Sequence, residues 1–217
     1  MILFKNISKK YNEPLFENLC TEIEEGKITA LIAPSGSGKT TLINMLMGFV
    51  KPDSGRIEGA GNKSISAVFQ EDRLLEDFTV RENMTVCRCT EKELDYVSDM
   101  LDIKNCLDMY PDELSGGMKR RTAIGRCLLK KADIYIMDEP FKGIDQKLKN
   151  KIIKSIKEYI KNKTCIFVTH DISEAKEFAD RIKIFSKDKN GNTVVFDEKN
   201  SEEIDLNFTE MFKNGKF

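Results

Sequence analysis

No stretch of this 217-residue sequence approaches the roughly 18–20 consecutive apolar residues of a bilayer-spanning helix, so a membrane span is not expected. The first residues, Met1-Ile2-Leu3-Phe4-Lys5-Asn6, lack the basic start, the long apolar stretch and the small-residue cleavage site of a signal peptide, which predicts a cytoplasmic protein. Excess positive charge is missing too. The formal net charge is −1, and no broad basic footprint for nucleic acid follows from it. Histidine occurs once, at His170, and the six cysteines (Cys20, Cys87, Cys89, Cys106, Cys127, Cys165) show no zinc-site spacing. Cys87 and Cys89 stand closer than the ligand pair of a zinc knuckle, and reduced structural thiols are the expectation. Proline is scarce at five, and 40% hydrophobic residues suffice for an ordinary core in one large domain or a domain with a small appendage.

What is present reads as strands alternating with helices. Ile2, Phe4 and Ile7, then Leu19, Ile23 and Ile28, predict β-structure up to about Ile32. Thr41 to Phe49 predicts a helix with Leu42, Met45, Leu46 and Phe49 on its apolar face, stopped by Gly48 and Pro52. Ile65–Phe69, Ile134–Met137 and Cys165–Val168 predict further short strands. Between the last two, Leu148, Ile152, Ile156 and Ile160 mark an amphipathic helix whose lysine-rich side is expected to face solvent. The polar stretch from Glu71 to Leu114 reads as an inserted helical segment, with a capping box at Thr90-Glu91-Lys92-Glu93. Ile184-Phe185 and Val194-Val195-Phe196 around Asn190-Gly191-Asn192 predict a hairpin. The alternation implies an α/β fold with a parallel sheet flanked by helices.

Ala33-Pro34-Ser35-Gly36-Ser37-Gly38-Lys39-Thr40-Thr41 lies between a predicted strand and a predicted helix, the setting a phosphate-binding loop requires. Glycines let successive N–H groups point at an anion, and the helix start adds its positive dipole end. Lys39 is placed to reach the β- and γ-phosphates of a nucleoside triphosphate, Thr40 to ligate Mg²⁺, and Thr41 to support the phosphates further in. Ala33 stands where the usual pattern has glycine. Downstream, Ile134-Tyr135-Ile136-Met137-Asp138-Glu139 ends an apolar strand in two carboxylates. Asp138 suits a Mg²⁺ contact through water, and Glu139 suits a general base on the attacking water.

Leu114-Ser115-Gly116-Gly117-Met118 is similar to the signature Leu-Ser-Gly-Gly-Gln of the ABC ATPase family, with Met118 replacing the glutamine. The resemblance covers nearly the whole chain. It implies a P-loop NTPase core, an N-terminal antiparallel β subdomain and an inserted α-helical subdomain over about 71–114, all in a single domain of residues 1–217. It also implies a role for several residues that mean little alone. Tyr11 resembles the aromatic that stacks on adenine, with a packed core tyrosine as the alternative. Gln70 resembles the glutamine that senses Mg²⁺ and links to a membrane subunit. Gly143-Ile144-Asp145 resembles the loop that communicates across a dimer, and His170 the histidine that contacts the γ-phosphate and orients water. Ser115, Gly116 and Gly117 are implied to close on the nucleotide held by a second subunit.

From the resemblance, the cofactors are ATP and Mg²⁺. The partners are a second copy or a homologous ATPase subunit, and transmembrane permease subunits through which the chain sits on the inner face of the cell membrane; nucleic acid is not among them. Gln70-Glu71-Asp72-Arg73-Leu74-Leu75 and Asp138-Glu139-Pro140-Phe141 look like importers of small solutes, nearest to the nitrate, sulfonate and taurine group. A soluble ABC ATPase of assembly or repair, and a binding-only subunit with weak hydrolysis, stay open as alternatives.

Overall fold

A computed structural model describes residues 1–32, 36–187 and 193–198. Two compact units form, one from residues 1–63 with those from Asn162 onward, the other from Ser64–Lys161. The first begins with β1 (Ile2–Lys10) antiparallel to β2 (Pro14–Ile23). The apolar phase slips once in each strand, from Phe4 to Ile7 and from Phe16 to Leu19, all four buried. Asn6 and Asn18 absorb the slips at φ 50° and 51°, a left-handed geometry that asparagine tolerates, and the register shifts there as bulges.

β3 (Ile28–Ile32) is buried throughout and leads toward α1 (Lys39–Leu46). This helix starts earlier than the periodicity predicts and stops before Phe49. Gly48 takes φ 78° just past its end and turns the chain away, leaving Phe49 69% exposed rather than on the apolar face. Leu42, Met45 and Leu46 are buried as expected. β4 (Ser54–Glu58) returns to β1, giving a three-stranded sheet of order β2-β1-β4.

The second unit contains β5 (Ile65–Val68), α2 (Val80–Thr85), α3 (Glu91–Met100), α4 (Gly116–Leu129), β6 (Ile134–Asp138) and α5 (Gln146–Tyr159). β5 and β6 are parallel, and α4 packs on β5. The capping box at Thr90 and Glu93 forms, and Thr79 with Glu82 makes a second one at α2 that the sequence reading passed over. On α5, Ile152, Ile156 and Ile160 are buried while Lys147, Lys151 and Lys154 face solvent; Lys149 is the exception and is buried.

Back in the first unit, β7 (Thr164–Thr169) and β8 (Arg181–Lys187) flank β3 in parallel, with α6 (Ile172–Phe178) between them in sequence. β9 (Thr193–Glu198) pairs antiparallel with β8 as the predicted hairpin, Phe185 opposite Val195, while its turn at Asn190-Gly191-Asn192 lies outside the described residues.

All six cysteines are thiols; Cys127 and Cys165 are buried and Cys20 is exposed. Burial pushes the Cys127 thiol up to about 12. The thiolate is the reactive form, so at pH 8 Cys127 is expected to stay unmodified by iodoacetamide until the protein unfolds, whereas Cys20 reacts in the native state. Peptide mass spectrometry reads this directly, and equal native labelling of the two would contradict the burial.

Candidate nucleotide site

Ile32 at the end of β3 lies beside Thr169 at the end of β7, so the Gly-rich loop and His170 leave neighbouring strands on the same side of the first unit. Ala33, Pro34 and Ser35 lie outside the described residues. Gly36 and Gly38 take φ 78° and 95°, and Gly38 is the N-cap of α1. A glycine brings no side chain to cap the helix, and the first turn carries no acidic residue. The Ser37 hydroxyl is buried and finds no hydrogen-bond partner among the described residues. A helix start without a side-chain cap, next to an orphaned buried hydroxyl, fits an external anion with several acceptor oxygens, such as a polyphosphate. Lys39 and Thr41 are half-buried at this helix start and Thr40 is exposed.

Tyr11 follows β1 with 58% of its surface exposed, which rules out the packed-core alternative. The Lys9 ammonium lies 5.5 Å from the ring centroid, a cation–π contact that leaves an aromatic surface open to a planar ligand. His170 is exposed at the end of β7. The residues around it are tied down. The Thr169 hydroxyl contacts Glu174 at 2.9 Å and accepts the Asp171 N–H at 3.0 Å, and Asp171 caps α6.

In the second unit, all of β6 is buried and Asp138 is its last residue. Glu139 follows at φ 48°, half-buried, with the Lys142 ammonium 3.8 Å from its carboxylate. Val68 at the end of β5 is in register with Met137, so Gln70, exposed just beyond β5, and the acidic pair emerge side by side. Sequence reasoning missed Arg120, whose buried guanidinium hydrogen-bonds the backbone on both sides of this pair of strand ends. No local signal could have found it, because its acceptors are distant in sequence.

Ser115 is the N-cap of α4, its Oγ accepting the Met118 N–H at 3.3 Å, and Gly116 and Gly117 form the first turn. A hydroxyl that accepts there still has its proton to donate outward. Met118 thus contributes its backbone N–H within the turn rather than an amide side chain. A Cβ on Gly117 would lie 3.0 Å from the Gly143 carbonyl, which is how closely the 115–117 and 143–145 loops approach. Gly143 takes φ 77°, Ile144 is buried, and the Asp145 carboxylate caps α5 by accepting from Lys147 N–H at 3.0 Å and Leu148 N–H at 3.4 Å.

The hydroxyl of Thr40, the amide of Gln70 and the carboxylate of Asp138 are hard oxygen donors, the class that suits Mg²⁺. Among the described residues no three His, Cys, Asp or Glu side chains gather into a metal cluster. Each of these groups by itself suits an ion that takes most of its ligands from phosphate oxygens and water.

Residues 16–142 match the protein family described as ABC transporter. Over 208 residues the chain is 31% identical to the thiamine import ATP-binding protein ThiQ of Aliivibrio fischeri, covering 87% of this chain and 88% of that one. It is 34% identical to a probable sulfate/thiosulfate import ATP-binding protein, CysA, of Chlorella vulgaris, with the same coverage. It is also 35% identical to the spermidine/putrescine import ATP-binding protein PotA of Protochlamydia amoebophila, covering 86% of this chain and 55% of that longer one. A dimeric post-hydrolysis structure of the ATP-binding cassette MJ0796, bound to ADP and Pi, superposes with a TM-score of 0.79 at 27% identity, over 92% of this chain and 98% of that one.

Proposed function

This chain belongs to the ABC transporter family of ATP-binding proteins, and from that premise we propose that it hydrolyses ATP to power import of a small solute through separate membrane subunits. The observation that carries the reading is a pair of anion cradles at helix starts, one in each unit: Ser37-Gly38-Lys39 at α1 and Ser115-Gly116-Gly117 at α4. One cradle alone would describe any nucleotide-binding protein. Two suit an ATP held by the first cradle of one copy and closed over by the second cradle of another. The solved MJ0796 structures, both dimeric, support that arrangement.

In this reading Tyr11 stacks on the base, and Lys39 with the backbone N–H groups of residues 35–38 holds the β- and γ-phosphates, supported by Thr40 and Thr41, while Pro34, which has no N–H, shapes the loop. Thr40, Gln70 and Asp138 hold Mg²⁺, which when bound neutralises phosphate charge. Glu139 accepts the proton of the attacking water and His170 orients it, while Ser115, Gly116 and Gly117 donate to the γ-phosphate from the partner copy. Asp145 acts across the dimer from the cap of α5. Residues 1–217 then work as one ABC ATPase domain with the segment about 71–114 as its insert. The relatives' names span thiamine, sulfate/thiosulfate and spermidine/putrescine import, which supports a small solute without favouring the nitrate, sulfonate and taurine group. No helix among the described residues is long and apolar enough to cross a membrane, so a permease partner would supply the attachment to its inner face.

The test is a pull-down of tagged protein carrying Glu139→Gln, with ATP, from detergent-solubilised membranes of its own source. A multi-span membrane protein recovered in comparable amount is the expected result. Recovery of soluble partners alone would shift the reading to an assembly or repair ATPase.

A further inference from the structure

Arg120 lies on the second turn of α4, 3% exposed, and its five N–H donors face acceptors on two separate strand ends. Nη2 donates to the carbonyls of Asp138 at 2.5 Å and Glu139 at 2.6 Å, and Nε to that of Pro140 at 3.1 Å. Nη1 donates to the carbonyl of Phe69 at 2.5 Å, with that of Gln70 at 3.4 Å, and pairs with the Asp72 carboxylate at 3.1 Å. One side chain therefore grips three consecutive carbonyls centred on Glu139 and also the backbone that carries Gln70.

The residue at the centre of that grip is the one with unusual backbone. Glu139 takes φ 48°, a conformation that a non-glycine residue keeps only where its surroundings over-determine it. Arg120 is what does so on the carbonyl side. Its planar fork can reach both strand ends at once, which a lysine ammonium, a single point on a flexible stem, cannot.

We propose that Arg120 is a positioning residue for ATP hydrolysis: it sets the backbone from which the Glu139 carboxylate projects and fixes it relative to the Gln70 loop. The inference rests on the reading of Glu139 as general base. The same α4 helix begins with Ser115 and the glycines, so the helix that presents the second anion cradle also holds the backbone under the base by a side chain on its second turn. Movement of α4 is thereby coupled to the carboxylate.

The experiment is a double-mutant cycle on the full chain with its permease or as its ATP-bound dimer, measuring single-turnover hydrolysis, KM for Mg-ATP, and thermal unfolding. Arg120→Lys is expected to lower kcat by about 10- to 100-fold, the scale of a reacting group displaced by about 1 Å, with KM changed by less than about threefold. In the Glu139→Gln background the same substitution is expected to change the residual rate by less than about twofold, because the group it positions is already gone. Arg120→Gln, which keeps amide donors without the charge, serves if the lysine variant unfolds. A full repeat of the fall in the Glu139→Gln background, or an unchanged kcat in a folded variant, would overturn the positioning role while leaving the general base standing. A Glu139→Gln protein that hydrolyses at the parent rate would overturn both.

Discussion

Glu139→Gln is expected to bind ATP about as tightly as the parent and to hydrolyse it roughly 10²–10⁴-fold more slowly, the range that a positioned general base contributes. The substitution keeps the shape of the side chain and removes only its charge and its capacity to take a proton. Glu139 is half-buried at the end of an all-buried strand, and Arg120 fixes the carbonyls of residues 138–140, so the backbone beneath the new amide has no reason to move. Charge on the bound triphosphate then persists, and a longer-lived ATP dimer is expected on size-exclusion chromatography. Single-turnover hydrolysis with Mg-ATP is the measurement, and turnover equal to that of the parent would remove Glu139 from the reaction.

The second large effect concerns Gly38. A Cβ there would lie 2.4 Å from the Phe16 ring, closer than real Cβ contacts come, and the backbone sits at φ 95°. Gly38→Ala must therefore both strain the backbone and displace Phe16, a buried side chain of β2. The expected result is a loss of ATP affinity of at least about tenfold, or ~1.4 kcal/mol. A stability loss of about 1–3 kcal/mol is expected beside it, from the strained φ together with overpacking. Gly36→Ala is the internal control: its φ is 78°, yet nothing lies within 4 Å of the added methyl. It carries the conformational part without the steric one, so its effect on both affinity and melting temperature is expected to be distinctly smaller. Equal effects of the two substitutions would show that the Phe16 contact does not matter to the loop.

Much of the candidate site was legible because each of its parts is a contiguous stretch of the chain. A buried strand, a Gly-Ser-Gly-Lys-Thr loop and a helix are local events, governed by neighbouring residues and by the positive end of a helix dipole. The same holds for the capping box at Thr90 and Glu93, and for Asp138 and Glu139 at the end of β6. The bulges at Asn6 and Asn18 could also have been read, since the apolar phase of both strands slips at those residues. Phe49 misled because helical spacing continues past the point where Gly48 turns the backbone, and spacing carries no information about φ.

By itself, then, the sequence determined the β-structure before Ile32, the short strands β5, β6 and β7, the amphipathic helix α5, and the candidate phosphate loop, acidic pair and Ser-Gly-Gly turn, since each depends on residues within a few positions of one another, while β4 and α6 went unread. Only the tertiary structure decided that Tyr11 is exposed, that Ser115 serves first as a helix cap, and that Arg120 grips two strand ends. The physical reason is that a buried guanidinium must find acceptors wherever the packed chain brings carbonyls to it. For Arg120 these lie 18 to 51 residues away, a separation that no local pattern encodes.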